Sequence, residues 1–148
     1  MTRIIGIDPG VATGVAMLED GRFTEFRCLG FWEAYELVRQ CSSRTTVVIE
    51  IAADTYVWQP NARSRAGLGK ALKVAQDVGA VRREGLLLAQ GLQRSGLQVV
   101  TRPPRGKVDA RRFAEITGYR GRMNQHKRDA GMLAWYEYQS MLTGFAPF

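Results

Sequence analysis

The chain has 148 residues, of which 45% are hydrophobic and 24% charged. This length and composition predict one ordinary domain with a hydrophobic core, spanning residues 1–148. No apolar run approaches the roughly 18 residues of a membrane-spanning helix, and the chain enters a predicted strand at once. We therefore expect a cytoplasmic protein without a membrane span or a signal peptide.

The formal net charge of +7 is concentrated in one segment. Residues 101–128 hold nine basic and two acidic side chains, and the rest of the chain is balanced. A local excess of this kind favours contact with a polyanion such as nucleic acid. The alternative is a basic surface that is merely solvated.

The first third of the chain predicts a strand meander followed by a crossover. Its elements are strands at about 3–8, 13–19 and 22–29, a helix at about 31–43, and a strand at about 46–51. Asp20-Gly21 is a strong hairpin signal between the second and third strands. The β-branched first and fourth runs are typical of buried strands, and a right-handed crossover lays them side by side and parallel.

The rest of the chain is predicted to be mainly helical. Its elements are an irregular segment at 52–66, a long helix at about 67–94, a short strand at 97–100, and helices at about 110–117 and 125–142. The long helix carries two apolar stripes, which predict burial against the sheet and against either a second subunit or the same domain. Asp109 and Gly118 are expected to cap the helix between them. Together, the predicted strands and helices indicate an α/β fold, with a five-stranded mixed sheet flanked by helices.

Three acids fall where this fold would bring them together. Asp8 ends the first strand, Glu50 ends the fourth, and Asp129 lies in the last helix. A carboxylate at the end of a buried strand is costly unless a cation meets it, and oxygen ligands suit magnesium. The alternatives are a turn-capping acid at Asp8, a structural ion pair at Glu50 and a helix-terminus charge at Asp129.

The order of elements and acids resembles the ribonuclease H-like superfamily, and within it the RuvC family of Holliday junction resolvases. The matching segments are Gly6-Ile7-Asp8-Pro9-Gly10 with Thr13-Gly14, Val48-Ile49-Glu50, Asn61, Lys107, Thr117-Gly118, and Asn124 through Ala130. The resemblance spans nearly the whole chain.

The resemblance implies a homodimeric endonuclease of bacterial or phage origin that resolves four-way DNA junctions by paired symmetric cuts. Asp8, Glu50 and Asp129 match the metal-binding carboxylates, which hold two Mg²⁺ per site, with Mn²⁺ as a substitute. His126 stands where many members have a further acid and some have histidine. It is either a fourth catalytic and metal-binding residue or a substitution that weakens the site. The long helix at 67–94 is the expected dimer interface.

DNA contacts are expected from two segments. Tyr56 and Trp58 lie where family members stack aromatic side chains at the junction centre, although simple packing is the alternative. The basic residues expected to meet DNA are Arg63, Arg65, Lys70, Arg105, Lys107, Arg111, Arg112, Arg120, Arg122 and Lys127.

Three other functions remain open. One is another ribonuclease H-like nuclease, acting on branched DNA or on RNA–DNA hybrids. A second is a protein that binds junctions without cutting them. The third is an actin-like ATPase, because Asp8-x-Gly10-x-x-Thr13-Gly14 also resembles the first phosphate loop of that superfamily. Such ATPases need two domains of this kind, which disfavours them for a chain of this length.

Overall fold

The computed structural model describes residues 1–52 and 68–144. The strands are β1 (Arg3–Asp8), β2 (Thr13–Glu19), β3 (Arg22–Leu29), β4 (Thr46–Glu50) and β5 (Gln98–Arg102). The helices are α1 (Phe31–Arg39), α2 (Leu68–Arg94), α3 (Ala110–Thr117) and α4 (Gln125–Thr143). The expected DNA contacts Tyr56, Trp58, Arg63 and Arg65 lie outside the described residues.

The strands form one mixed sheet in the order β3-β2-β1-β4-β5. β3, β2 and β1 pair antiparallel, whereas β1, β4 and β5 pair parallel, with Ile7 opposite Ile49 and Glu50 opposite Arg102. This confirms the predicted α/β class, the meander and the crossover. Because β1 and β4 run in the same direction, their carboxyl ends lie at the same edge of the sheet.

The β2–β3 hairpin turns through Asp20 and Gly21, as predicted. Both residues have positive φ, at 46° and 80° respectively, which matches the twist of the flanking strands. The Thr2 backbone N–H also donates to Asp20 Oδ1 at 2.8 Å, which ties the turn to the start of β1.

The sheet buries apolar side chains on both faces, which explains the β-branched runs of its central strands. On one face, Ile5 and Ile49 pack with Leu88 and Leu92 of α2. On the other face, Ile4, Leu18 and Val48 pack with Leu133 and Ala134 of α4. Burying each large aliphatic side chain contributes about 1.5–3 kcal/mol, so the two helices are held by substantial apolar contact.

Two glycines let α4 lie directly against the sheet. A Cβ atom at Gly6 would overlap the backbone oxygen of Ala130, and one at Gly14 would overlap that of His126. Because Gly14 is paired with Asp8, this contact brings the first turn of α4 to the carboxyl end of β1. The glycines therefore position the site described below.

Two element boundaries differ from the prediction. α1 ends at Arg39 rather than near residue 43, because Ser42 bonds locally: its Oγ accepts from the Arg44 N–H at 3.3 Å. β5 runs from Gln98 to Arg102 rather than from 97 to 100. Leu97 instead belongs to the turn that follows α2, because its N–H donates to Leu92 O at 3.2 Å.

The predicted caps of α3 are present. Asp109 Oδ1 accepts from the Arg112 N–H at 2.8 Å, and Gly118 ends the helix with a φ of 77°. α4 is capped in the same way, since Asn124 Oδ1 accepts from the Lys127 N–H at 3.0 Å. Both helix starts next to the basic segment are therefore fixed by side-chain bonds.

The stripes of α2 differ in burial along the helix. Leu88, Leu92 and Ala89 are buried, whereas Leu72 is 54% exposed. Leu87, which belongs to neither predicted stripe, is 47% exposed. The burial of the helix against the sheet is confirmed for its second half. Within the described ranges, no helix combines the length and apolar character needed to cross a membrane.

Candidate metal and nucleic-acid site

Asp8 and Glu50 meet at the carboxyl edge of the parallel strands. Asp8 ends β1 and is 8% exposed, and Glu50 ends the neighbouring strand β4. Asp8 and Glu50 directly follow Ile7 and Ile49, whose side chains pack on the α2 face. Because successive side chains of a strand point to opposite faces, both carboxylates lie on the face covered by α4. The predicted convergence of the two strand-end acids is therefore present.

α4 supplies His126 and Asp129 to the same edge. His126 Nδ1 lies 3.3 Å from Asp8 Oδ2, a hydrogen bond that the imidazole donates when Nδ1 carries the proton. Asp129 Oδ2 lies 3.9 Å from Lys107 Nζ. One helical turn separates His126 from Asp129, so both face the strand-end acids.

The carboxylates repel one another in this half-buried setting. Burial raises the pKa of Asp8, partly opposed by its hydrogen bond with His126, and the charge of Asp129 raises it further. Burial first, and then the charges of Asp8 and Asp129, raise the pKa of Glu50 to about 7, with Lys107 acting in the opposite direction. The local excess of negative charge is thus only partly compensated by cationic side chains.

Two openings adjoin Glu50. A cavity of about 20 Å³ lies between Glu50 and Asp129, beneath Arg105 and Tyr136. That volume suffices for one water-sized occupant. A wider cleft of about 280 Å³ lies between Pro9, Glu50 and Val81, and it is largely apolar. Glu50 is therefore accessible from two sides.

The donor set fits a hard divalent cation, but the side chains are not gathered as a coordination shell. Three carboxylates and one imidazole are the ligands that Mg²⁺ or Mn²⁺ would take, and the raised pKa of Glu50 reflects its burial and the charges of Asp8 and Asp129. Among the residues that the structure describes, no three His, Cys, Asp or Glu side chains are arranged to hold one ion. Binding would require side-chain rotation from the hydrogen-bonded pairs seen here.

The described basic residues form two sets. Lys107 adjoins Asp129, and Arg105 lies over the Tyr136 ring, with its guanidinium carbon 4.1 Å from the ring centroid. Arg111 and Arg112 pair with Glu115 on the surface of α3, where such pairs contribute little. The remaining members of the predicted set are Lys70, Arg120 and Arg122, which are exposed, and Lys127, which is half-buried.

A cavity of about 320 Å³ separates α3 from the start of α4. Arg111, Arg120, Arg122 and Arg128 line it, together with Tyr119. Most of its polar lining is cationic, which gives the basic segment a concave surface as well as an exposed one. The distribution of charge predicted from sequence thus has a definite place in the fold.

Three side-chain interactions beside the site were missed in the sequence. Gln125 Nε2 donates to Asp129 Oδ1 at 2.6 Å, and Arg128 Nη2 donates to Gln125 Oε1 at 2.9 Å. Arg102, opposite Glu50 in the sheet, meets the buried carboxylate of Glu137: its Nε donates to Oε2 at 3.1 Å, and its Nη2 donates to Oε2 at 2.9 Å and to Oε1 at 3.2 Å. The i,i+4 spacing of Gln125 and Asp129 was the available signal for the first interaction.

A scan against protein-family models and a search of the curated proteins gave no match to this chain. The residues and geometry of the site are therefore the basis for assigning a function.

Proposed function

We propose that the protein is a divalent-metal-dependent endonuclease of the ribonuclease H-like superfamily that cleaves four-way DNA junctions. One observation carries the proposal: Asp8 and Glu50 end adjacent parallel strands, and α4 brings Asp129 and His126 to the same edge. Three acids from three separate segments lie together, with a basic surface beside them. The acids suit the binding of cations, and the basic surface suits the binding of a phosphodiester.

The residues that would hold the metal are Asp8, Glu50 and Asp129, with His126 as a further candidate. Two bound divalent ions supply an activated water and stabilise the leaving oxygen in phosphodiester hydrolysis. With a metal bound, the Glu50 carboxyl would be ionised, because the cation would offset the burial and the neighbouring carboxylates that raise its pKa in the metal-free protein. His126 holds the Asp8 carboxylate in position through their 3.3 Å contact.

The basic segment supports a nucleic-acid substrate. Lys107 reaches Asp129, so a phosphate bound by Lys107 would lie beside the acids. Arg120 and Arg122 extend the positive surface away from them, along the cavity between α3 and α4. Phosphate contacts of this kind position a strand without reading its sequence, so they suit an enzyme that selects DNA by its shape.

Paired cuts across a junction require two copies of the site, and we propose a homodimer built through α2. Leu72 and Leu87 support this interface, because they are large apolar side chains that are 54% and 47% exposed on one helix. A two-fold dimer matches a substrate of the same symmetry. The molar mass in solution, measured by light scattering, tests the assembly, and a strictly monomeric protein would contradict it.

The direct test is cleavage of a synthetic four-way junction, beside linear duplex and an RNA–DNA hybrid, with and without Mg²⁺ or Mn²⁺. We expect paired nicks near the branch point that require the metal and disappear in Asp8→Asn. Equal cleavage of all three substrates would support a general ribonuclease H-like nuclease instead. Cleavage without added metal in the presence of a chelator would contradict the proposed chemistry.

A second candidate is a protein that binds junctions and cuts them poorly. The observation that favours it is the pairing of His126 with Asp8, together with the lack of three gathered metal ligands in the described part of the chain. Exchange of His126 for Asp discriminates between the two. An increase in cleavage of tenfold or more would show that the histidine weakens the site, whereas a decrease would show that it serves the reaction.

A further inference from the structure

Gln125 occupies the centre of a hydrogen-bond network beside Asp129. Its Nε2 donates to Asp129 Oδ1 at 2.6 Å and to the Val108 carbonyl oxygen at 3.2 Å. Its Oε1 accepts from Arg128 Nη2 at 2.9 Å. Both ends of the amide are therefore engaged, and its orientation is fixed because only the nitrogen can donate to two oxygens.

Arg128 anchors this network rather than contributing a free charge. Its Nε donates to the Val108 carbonyl oxygen at 3.2 Å, and its Nη1 donates to the Met123 carbonyl oxygen at 2.9 Å. With the bond to Gln125, all three guanidinium nitrogens donate to acceptors on three different residues. A planar guanidinium held in this way restricts the rotamer of Gln125.

The network has two consequences for the site. Gln125 occupies one oxygen of Asp129, which leaves Oδ2 as the oxygen that faces Lys107. The Val108 carbonyl receives bonds from both Gln125 and Arg128, so the loop of residues 103–109 is tied to the same amide. Lys107 precedes Val108 directly, and its position is therefore linked to that of the carboxylate.

We propose that Gln125 is a positioning residue that presents Asp129 Oδ2 to the metal site and couples it to the loop carrying Lys107. This inference rests on the proposed function for its metal, but its coupling to the loop concerns the protein alone. A partner of this kind behind a metal-binding carboxylate typically raises metal affinity by about 10–100-fold.

The test substitutes Gln125→Met, which keeps the length of the side chain and removes its donors and its acceptor. Gln139→Met on the same helix is the matched control, because the Gln139 side chain has no hydrogen bond to a described residue. Mn²⁺ binding to the metal-free protein is measured by calorimetry without DNA. We expect Gln125→Met to weaken Mn²⁺ binding about tenfold or more and Gln139→Met to leave it unchanged.

A second readout needs neither metal nor activity. The ¹⁵N{¹H} nuclear Overhauser effect of the backbone amides in residues 105–109, which reports their fast motion, should fall in Gln125→Met and stay at the wild-type value in Gln139→Met. If the Gln125→Met variant does not fold, Gln125→Ala is used instead, because it removes the same hydrogen bonds and adds no new atoms. An unchanged Overhauser effect in this loop, or a Mn²⁺ affinity within twofold of wild type, would overturn the proposal.

A double variant tests whether Gln125 affects Mn²⁺ binding through Asp129. If Gln125 acts by orienting that carboxylate, the double variant Gln125→Met, Asp129→Asn should bind Mn²⁺ no more weakly than Asp129→Asn alone. An additional loss in the double variant would show a different role. A wild-type protein that cuts no junction and binds no Mn²⁺ would refute the proposed function, and the motion of the loop amides would then still decide the coupling.

Discussion

Asp8 is the most enclosed of the three acids, since its side chain is 11% exposed and contacts His126. Asp8→Asn keeps an acceptor for the imidazole but removes the charge that Asp129 repels. If Asp8 binds the metal as proposed, Asp8→Asn should lower the cleavage rate at least about 100-fold, because loss of a residue that only orients a ligand already costs about 10–100-fold. The metal-free melting temperature should stay equal or rise.

The matched control for Asp8 is Asp20→Asn, in the turn at the opposite end of β2. Asparagine tolerates the positive φ of that turn and still accepts the bond from Thr2. Cleavage by this variant should match the wild type. A fully active Asp8→Asn protein would remove Asp8 from the site.

Glu50 gives the metal-free protein a predictable response to pH. Its pKa is about 7 in the folded chain, against an ordinary value of 4.5. The folded state therefore binds the proton more tightly than the unfolded state, so the stability contributed by the neutral carboxyl is complete below pH 4.5 and is lost as the pH rises through 7. Asp8, whose pKa is also raised by burial, adds a loss of the same sign.

Glu50→Gln should remove this response. The variant should melt at a higher temperature than the wild type at pH 8, and this advantage should shrink at pH 5, with both proteins in chelator. For a chain of this size, about 1 kcal/mol corresponds to roughly 3 °C, so the difference is measurable by calorimetry. An advantage that is the same at both pH values would show that Glu50 ionises normally.

At the scale of elements, the approach of α4 to the sheet decides where His126 and Asp129 lie. Gly6→Ala would press a methyl group into the backbone of Ala130 and Ala134, where neither neighbour is a flexible side chain. We expect a loss of about 1–3 kcal/mol in the free energy of unfolding, measured with urea, and a loss of cleavage as α4 shifts.

Gly79→Ala is the control for this substitution. Gly79 lies inside α2, and nothing among the described residues lies within 4 Å of a Cβ atom built there. Alanine in a helix interior is favoured over glycine by about 1 kcal/mol, so this variant should not be destabilised. Equal losses in the two variants would show that space at Gly6 is not the limiting factor.

The elements were more predictable from sequence than the contacts between them. Alternation, β-branched runs, the Asp20-Gly21 turn and the caps Asp109 and Gly118 are local signals, and their elements were confirmed. The proximity of Asp8 and Glu50 was predicted from the right-handed crossover that lays β4 parallel to β1. The network around Gln125 depends on how α4 sits over Gly6 and Gly14, which is tertiary packing that no local pattern encodes.

At the scale of the whole molecule, the charge is arranged about the sheet edge that carries the acids. Arg120 and Arg122 are exposed and lie on the basic side, whereas Arg44 precedes β4 and so lies at the opposite end of the sheet. A uniform excess of charge would attract DNA anywhere on the surface. An excess on one side should orient the DNA toward the acids.

This arrangement predicts a particular salt dependence. If Arg120 and Arg122 each neutralise one phosphate, the double variant Arg120→Gln, Arg122→Gln should bind junction DNA more weakly at every NaCl concentration. The slope of log affinity against log salt should become shallower by about 2, since each phosphate contact contributes roughly 0.9. Fluorescence anisotropy in the presence of Ca²⁺, with Asp8→Asn as background, measures binding without cleavage. Arg44→Gln should keep the original slope, and a slope shallower by about 1 in this single variant would mean that the attraction follows net charge rather than its position.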